Sequence, residues 1–249
     1  MKTNLKERST AFTRLELTVV VAIVLVLAAL LVPDLARRAR ARARSTCVNN
    51  LKTIGTAYRV WTGEGPWPPG HTEVLYGGWG DLLTNADQGV NCWTNYVLMS
   101  NELGRNAKLV VCPSDERRPA TNFTTDFKDN THLSYFVGVS ANDLFPRAIQ
   151  GGDRNLGPGI VPDADYGYSP TSGKGNDVAV PISGPVSWSL KMHSAGNASG
   201  AGNVLLGDSS VQQCSSVSLR TNWLRHADPT DTWPAGHTPS TPSIRLVFP

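Results

Sequence analysis

The sequence predicts an α+β protein. One long N-terminal helix, transmembrane over its first half, packs on a small antiparallel sheet with loop-rich insertions. Three observations lead there. Leu17 to Val32 is apolar except for Thr18. Small or apolar residues then recur in three- and four-residue steps at Ala36, Ala39, Ala43, Cys47, Leu51, Ile54, Tyr58 and Trp61, the spacing of one helix face. Most of the 23 Gly and 17 Pro in the 249 residues lie beyond them, among short β-branched and aromatic runs, which suits a loop-rich β structure better than a bundle.

The apolar run spans about 24 Å as a helix, against about 30 Å for a bilayer core. It therefore needs Phe12 to Leu15, or Leu35 and Ala36, to cross. A cleaved secretory signal fits poorly, because the run leads into Pro33, Asp34 and an arginine cluster rather than a small-x-small site. A soluble core helix with so many consecutive apolar positions would need burial on every side. A plain signal anchor leaves Glu16, an ionisable residue at the edge of the run, without a role, and such a residue in lipid reads as functional.

Asp34 to Trp61 continues the helix, and Gly63, Gly65 and Pro66 end it. Arg37, Arg38, Arg40, Arg42 and Arg44 lie mostly off the apolar stripe. They read as a solvated face, or as contacts to anionic lipid head groups, and follow the span too closely to be a nucleic-acid reader. Net charge is only +3, so charge balance indicates no particular partner.

In the remainder, Asn95 to Leu103 reads as a short helix. Leu109 to Cys112 and Leu133 to Val139 read as strands, with later ones at Gly184–Met192, Gly202–Leu206 and Val211–Cys214. Gly207-Asp208-Ser209-Ser210 joins the last two as a hairpin turn. Ala227 to Pro242, rich in Pro and Thr, reads as irregular. The four cysteines, Cys47, Cys92, Cys112 and Cys214, contain no CxxC pair. They allow two disulfides in three pairings, or four buried thiols.

Ala11-Phe12-Thr13-Arg14-Leu15-Glu16-Leu17 resembles the processing site of type IV prepilins and type II secretion pseudopilins. In that family a small residue, usually Gly, precedes Phe-Thr-x-x-Glu and the apolar helix begins at once. Pro33 falls where those helices carry their kinking proline. Ala11 replaces the usual Gly, and Arg14 stands where the family is normally apolar. The resemblance implies a pilin-like fold with a leader over 1–11, a transmembrane and filament-core helix over 12–33, its amphipathic continuation over 34–62 and an extracytoplasmic head over 63–249. It implies cleavage between Ala11 and Phe12 by a prepilin peptidase, and methylation of the new Phe12 amine. Glu16 of one subunit would then neutralise the Phe12 amine of a neighbour and set register, since an unpaired charge in a low-dielectric bundle is costly.

Cys47-Val48-Asn49-Asn50-Leu51-Lys52-Thr53-Ile54-Gly55, Met99 to Leu103, Cys112-Pro113-Ser114-Asp115, Ser134 to Gly138 and Gly152-Asp153-Arg154-Asn155 resemble prepilin-like families expanded in planctomycetes and verrucomicrobia. Many of those end in a His, a nine-residue gap and Asp-Gly. Here His193 precedes Asp208-Ser209 by a longer gap, and no role is carried to it. In those families the positions of Cys47 and Cys112 are the common cysteines. The expectation is therefore Cys47–Cys112, with Cys112 at the sheet edge, and Cys92–Cys214. The first closes a loop of about 65 residues, worth about 3–5 kcal/mol in the chain-entropy model.

The expected function is a structural subunit of a type II secretion pseudopilus or type IV-like pilus. Its partners would be prepilin peptidase, other pilin or pseudopilin subunits and the inner membrane, without nucleic acid. The N-terminus would be cytoplasmic and the head periplasmic or extracellular, although the arginines after the span favour the opposite orientation by the positive-inside rule. The alternative is a membrane-anchored extracytoplasmic protein binding a glycan or protein ligand, with Trp61, Trp67, Trp79 and Trp93 as a platform; those residues read first as core or loop anchors. No catalytic site is expected. Gly207-Asp208-Ser209 resembles the nucleophile block of Gly-Asp-Ser esterases but has no later Asp-x-x-His. His226, Asp228, Asp231 and His237 lack spacing that would converge them on a metal. Asp163 and Asp165 leave calcium as the one open cofactor, as in some pseudopilin heads, without EF-hand spacing.

Overall fold

Helix α1 (Arg14–Thr62) is the longest element of the computed structural model, which describes residues 13–62, 91–139, 141, 145–194, 198–227 and 241–249. The chain divides into two units, residues 1–42 and 43–249. That boundary lies inside the stretch expected as the amphipathic continuation of the helix.

In the first unit, α1 starts at a capping box. Thr13 Oγ1 accepts the Glu16 backbone N–H at 3.3 Å, and the Glu16 carboxylate accepts the Thr13 N–H at 2.8 Å and its hydroxyl at 2.9 Å. This reciprocal pairing satisfies otherwise orphaned N–H groups and fixes where the helix begins. The apolar run that follows is exposed on all sides and has a mean hydropathy of 3.0 over its best 18-residue window. By length and composition it can cross a membrane. Pro33 lies inside α1 and forfeits one intrahelical hydrogen bond. Arg38 bonds Asp34 at 2.8 Å one turn away, both largely exposed.

In the second unit, α1 buries a true stripe: Cys47, Leu51, Ile54 and Tyr58, with Trp61 packed beside them. Ala36 and Ala39, expected on the same stripe, are exposed. Eight strands follow among the described residues: β1 (Tyr135–Gly138), β2 (Ile149–Asp153), β3 (Leu156–Pro158), β4 (Asn176–Pro181), β5 (Val186–Trp188), β6 (Ala201–Leu206), β7 (Val211–Ser215) and β8 (Ser243–Phe248). Six form an antiparallel sheet ordered β4-β8-β1-β2-β6-β7, and β3 pairs with β5 apart from it.

Period-two alternation gives the sheet two apolar faces. Tyr135, Val137, Leu205 and Val247 meet α1, while Phe136, Val204, Leu206, Leu246 and Phe248 form a second core around Trp188. Gly55 lets α1 approach the β6–β7 turn. A Cβ there would stand 2.8 Å from Leu205 Cδ1 and 3.0 Å from Ser209 Cβ. A short helix α2 (Cys92–Leu98) closes the first core.

The helix expected over Asn95–Leu103 thus starts earlier and ends sooner. Leu109–Cys112 is not a strand. Asn106 caps a 3-10 helix over Ala107–Val110 by accepting the Lys108 N–H at 3.2 Å, because an Asn side chain competes with extended pairing. The strands at Leu133–Val139 and Gly184–Met192 are present with tighter bounds, and those at Gly202–Leu206 and Val211–Cys214 each extend one residue further. The β6–β7 hairpin turns at Gly207–Ser210, with Ser209 at φ 65 and its N–H donated to Leu206 O at 2.9 Å.

Candidate functional site

Four side chains of different chemistry converge between α1 and the sheet: Cys47, Cys112, Asp153 and His193. Their Sγ, carboxylate and ring-nitrogen atoms all lie within 4.8 Å of one another, and every residue is buried. Cys47 is the first buried residue of the α1 stripe. Asp153 ends β2, whose Gly152 lets the Phe136 ring lie against the strand; a Cβ there would meet Phe136 Cζ at 2.7 Å.

Cys112 follows the Ala107–Val110 turn, and an ion pair fixes its place. Asp115 donates its N–H to Cys112 O at 2.9 Å. The Asp115 carboxylate takes a two-pronged bond from Arg154, Nε at 2.7 Å and the second prong at 2.8 Å, with both side chains buried. Ser134 and Tyr166 hydroxyls donate to the same carboxylate at 2.6 and 3.0 Å. Since Arg154 directly follows Asp153, one ion pair sets the Cys112 turn against the Asp153 strand end.

His193 sits in the 3-10 turn Met192–Ser194. Met192 before it holds φ 56, left-handed backbone that a side chain rarely adopts. The Ser194 hydroxyl pins the turn by donating to Ser189 O at 2.6 Å and accepting from Ala201 N at 2.7 Å. Arg44 of α1 donates to His193 O at 2.8 Å.

Within the cluster, the Cys47 thiol donates to Asp153 Oδ1 at 3.1 Å and lies 3.4 Å from the Tyr135 hydroxyl. Cys112 Sγ lies 3.3 Å from His193 Nε2, which is 3.4 Å from Asp153 Oδ2. Asn203 of β6 donates its N–H at 2.7 Å and its amide at 2.8 Å to Asp153 Oδ2. Ser114 donates its N–H to Cys112 Sγ at 3.4 Å.

The electrostatics separate the two thiols. Burial pushes Cys47 well above the ordinary thiol range, and Cys112 and Asp153 add to the rise. Burial also acts to raise Cys112, but hydrogen bonds with Cys47 and His193 outweigh it and bring that thiol down to about 7. For His193, burial favours the neutral ring, yet Asp153 and Cys112 together raise its value. Burial raises Asp153 against the pull of His193, Cys47 and Asn203. Two sulfurs, an imidazole and a carboxylate are thus held at one point, with one thiol poised to ionise.

The other expected site residues fall differently. Ala11 and Phe12 lie outside the described residues, as do Trp67, Trp79, Asp228, Asp231 and His237. Glu16 is engaged with Thr13 in the helix cap. Trp61 and Trp93 pack against the first core, Trp93 edge-to-face with Phe127 at 6.2 Å. Arg44, expected on a solvated face, is half-buried against His193. Asp163 accepts the Asp165 N–H at 2.8 Å in a local turn, and Lys191 stands 3.9 Å from Asp165; neither carboxylate joins a converging group among the described residues.

All four cysteines are free thiols. The expected Cys92–Cys214 bond is not formed, because the sheet separates the two. Cys92 lies in the core against α1, its thiol facing Val247 O at 3.4 Å, and Cys214 lies in the core on the opposite face. Cys47 and Cys112 do meet, but as thiols shared with Asp153 and His193 rather than as a disulfide at the sheet edge.

Asp153 and His193 are not legible as partners in the sequence. Cys47, Cys112 and Asp153 each stand in one of the quoted segments, but nothing in their spacing joins them across the fold, and His193 alone was given no role.

The protein is an α+β chain with one apolar N-terminal helix and an antiparallel sheet. Comparison with protein-family models, curated proteins and solved structures finds no match.

Proposed function

We propose that the chain is a pilin-like assembly subunit: a single-pass membrane protein whose N-terminal helix is cleaved before Phe12 and packs with like helices in a pseudopilus or type IV-like pilus. The observation that supports this most is α1 itself. It carries apolar side chains on all faces over Leu17–Val32 and a one-sided apolar stripe from Cys47 onward. A span with no polar face is stable only in lipid or among other helices. The leader motif and Glu16 favour a helix assembly over an anchor alone. Once Phe12 carries a free amine, the Glu16 carboxylate has a stronger partner than Thr13 and can exchange one for the other.

Intact mass of mature protein from native membranes tests the reading. The expected result is loss of residues 1–11 and a methyl group on Phe12; retention of Met1 would sink it. Filament fractionation then separates an assembly subunit from a membrane-anchored binding protein. Glu16→Ala is expected to reach the membrane and to be depleted from filaments, and normal filament yield would count against the register role.

A further inference from the structure

We infer that Cys47, Cys112, His193 and Asp153 form a structural zinc site that ties the second part of α1 to the sheet. The inference does not rest on the assembly reading; it concerns the 43–249 unit whatever the apolar span does.

The donor set points to the metal. Two thiols and an imidazole select a borderline-soft divalent ion and reject calcium and magnesium, which take oxygen shells. Zinc accepts all three donor types, tetrahedrally. With zinc–ligand bonds of about 2.0–2.3 Å, neighbouring donors of a tetrahedron stand about 3.3–3.8 Å apart. Here Cys47 Sγ–Asp153 Oδ1 is 3.1 Å, Cys112 Sγ–His193 Nε2 is 3.3 Å and His193 Nε2–Asp153 Oδ2 is 3.4 Å, with no pair of the four ligand atoms beyond 4.8 Å. The two Asp153 distances run to its two different carboxylate oxygens, and two of the three separations already fall within the tetrahedral range.

Beside His193, Met192 holds left-handed φ with a bulky side chain, local strain of the kind found at functional sites. The surroundings also supply an outer shell. Asn203 orients the carboxylate with two bonds, Ser114 N–H caps Cys112 Sγ, and the Asn203 amide reaches Cys47 Sγ at 3.5 Å. Partners of this kind hold ligands in place and tune their basicity.

Burial and four protein donors leave no open coordination position, so the site is structural rather than catalytic. Zinc binding converts both thiols to thiolates and releases two protons to solvent, with the carboxylate ionised and the imidazole neutral. Three of the four ligands lie outside α1, so the ion would bridge the helix to the sheet by bonds rather than packing alone.

The test uses the full chain in detergent, reduced and stripped with EDTA, then given zinc alone and, in parallel, cobalt alone. About one equivalent of zinc per chain is expected. The cobalt form should show tetrahedral d–d bands and a thiolate-to-cobalt charge-transfer band. Cys112→Ser should abolish that band's full intensity and the stoichiometric binding, Asn203→Ala should weaken affinity by about 10–100-fold, and Cys214→Ser should change neither. Zinc held equally by Cys112→Ser would overturn the inference. So would wild-type protein lacking the charge-transfer band, a reading that needs no variant to fold. A Cys47–Cys112 disulfide in protein taken from its native compartment would overturn it too.

Discussion

Leu25 and Leu51 belong to one helix, yet Leu25 is 64% exposed and Leu51 is 1% exposed. Leu17–Val32 presents apolar atoms all round; the stretch from Cys47 onward presents them on one side. Both stretches are helical because unbranched and small residues predominate in the second and nothing but Pro33 interrupts the first. The difference teaches that helix formation and helix docking are separate properties of a sequence. A stripe docks onto a partner in the same chain, whereas an unbroken apolar cylinder calls for a partner outside it. The same contrast recurs in the ion pairs: Asp34–Arg38 is exposed on the helix, and Asp115–Arg154 is buried in the head.

The sharpest way to break this contrast is Asp115→Ala. It strands the Arg154 cation among buried groups and should cost about 3–5 kcal/mol, read by urea unfolding followed through tryptophan fluorescence. The pH dependence has a fixed sign. Burial would raise the Asp115 value, but Arg154, Ser134 and Tyr166 hold it below the ordinary carboxylate range. The folded value lies below the unfolded one, so the stabilisation is complete above the ordinary carboxylate value and is lost as pH falls through the depressed folded value. Wild-type protein should lose stability over that acid window, and Asp115→Asn should lose this component of the pH dependence.

Next in size is Leu51→Ala, expected to cost about 2–5 kcal/mol through the cavity it leaves, while Leu25→Ala should leave head stability within about 0.5 kcal/mol. Equal losses would mean that the first stretch docks on the head after all. Gly55→Leu should cost about 1–3 kcal/mol, since its side chain would collide with Leu205 and the Ser209 backbone; an unchanged melting curve would show that the β6–β7 turn yields freely. Smallest is Arg38→Ala, worth about 0.3–0.5 kcal/mol of helix stability and diminished by salt, measurable by helix content at low and high ionic strength.

Much of the architecture was legible in sequence. The apolar run, the stripe from Cys47 to Trp61 and the hairpin around Asp208 all carry local patterns, and all three are present. β2 was not legible, because Gly151 and Gly152 offer no side chains to make an alternating pattern, and the Phe136 ring packs where a Gly152 Cβ would stand. β4 and β8 were missed beside Pro- and Gly-rich segments. The thiol cluster was half legible: Cys47 and Cys112 were brought together as a pair, but Asp153 and His193 reach them only through β2 and a strained turn, which no spacing announces. Cys92 and Cys214 were paired across a sheet whose two-sided core the sequence did not reveal.

The order of strands also has a consequence in time. β8 is the last of the described strands, yet it lies between β4 and β1, and among the described residues it is the only partner of β4. A chain emerging from its N-terminus can close β1 on β2 and β6 on β7 early, since those pairs are nearer in sequence. β4 must wait with its edge unpaired until Ser243–Phe248 arrives, and long-range closures of this kind are slow. A chain gaining structure from its N-terminal side would therefore hold the β4 edge open after the β1–β2 and β6–β7 pairs had formed, so that this edge is the last part of the sheet to be protected.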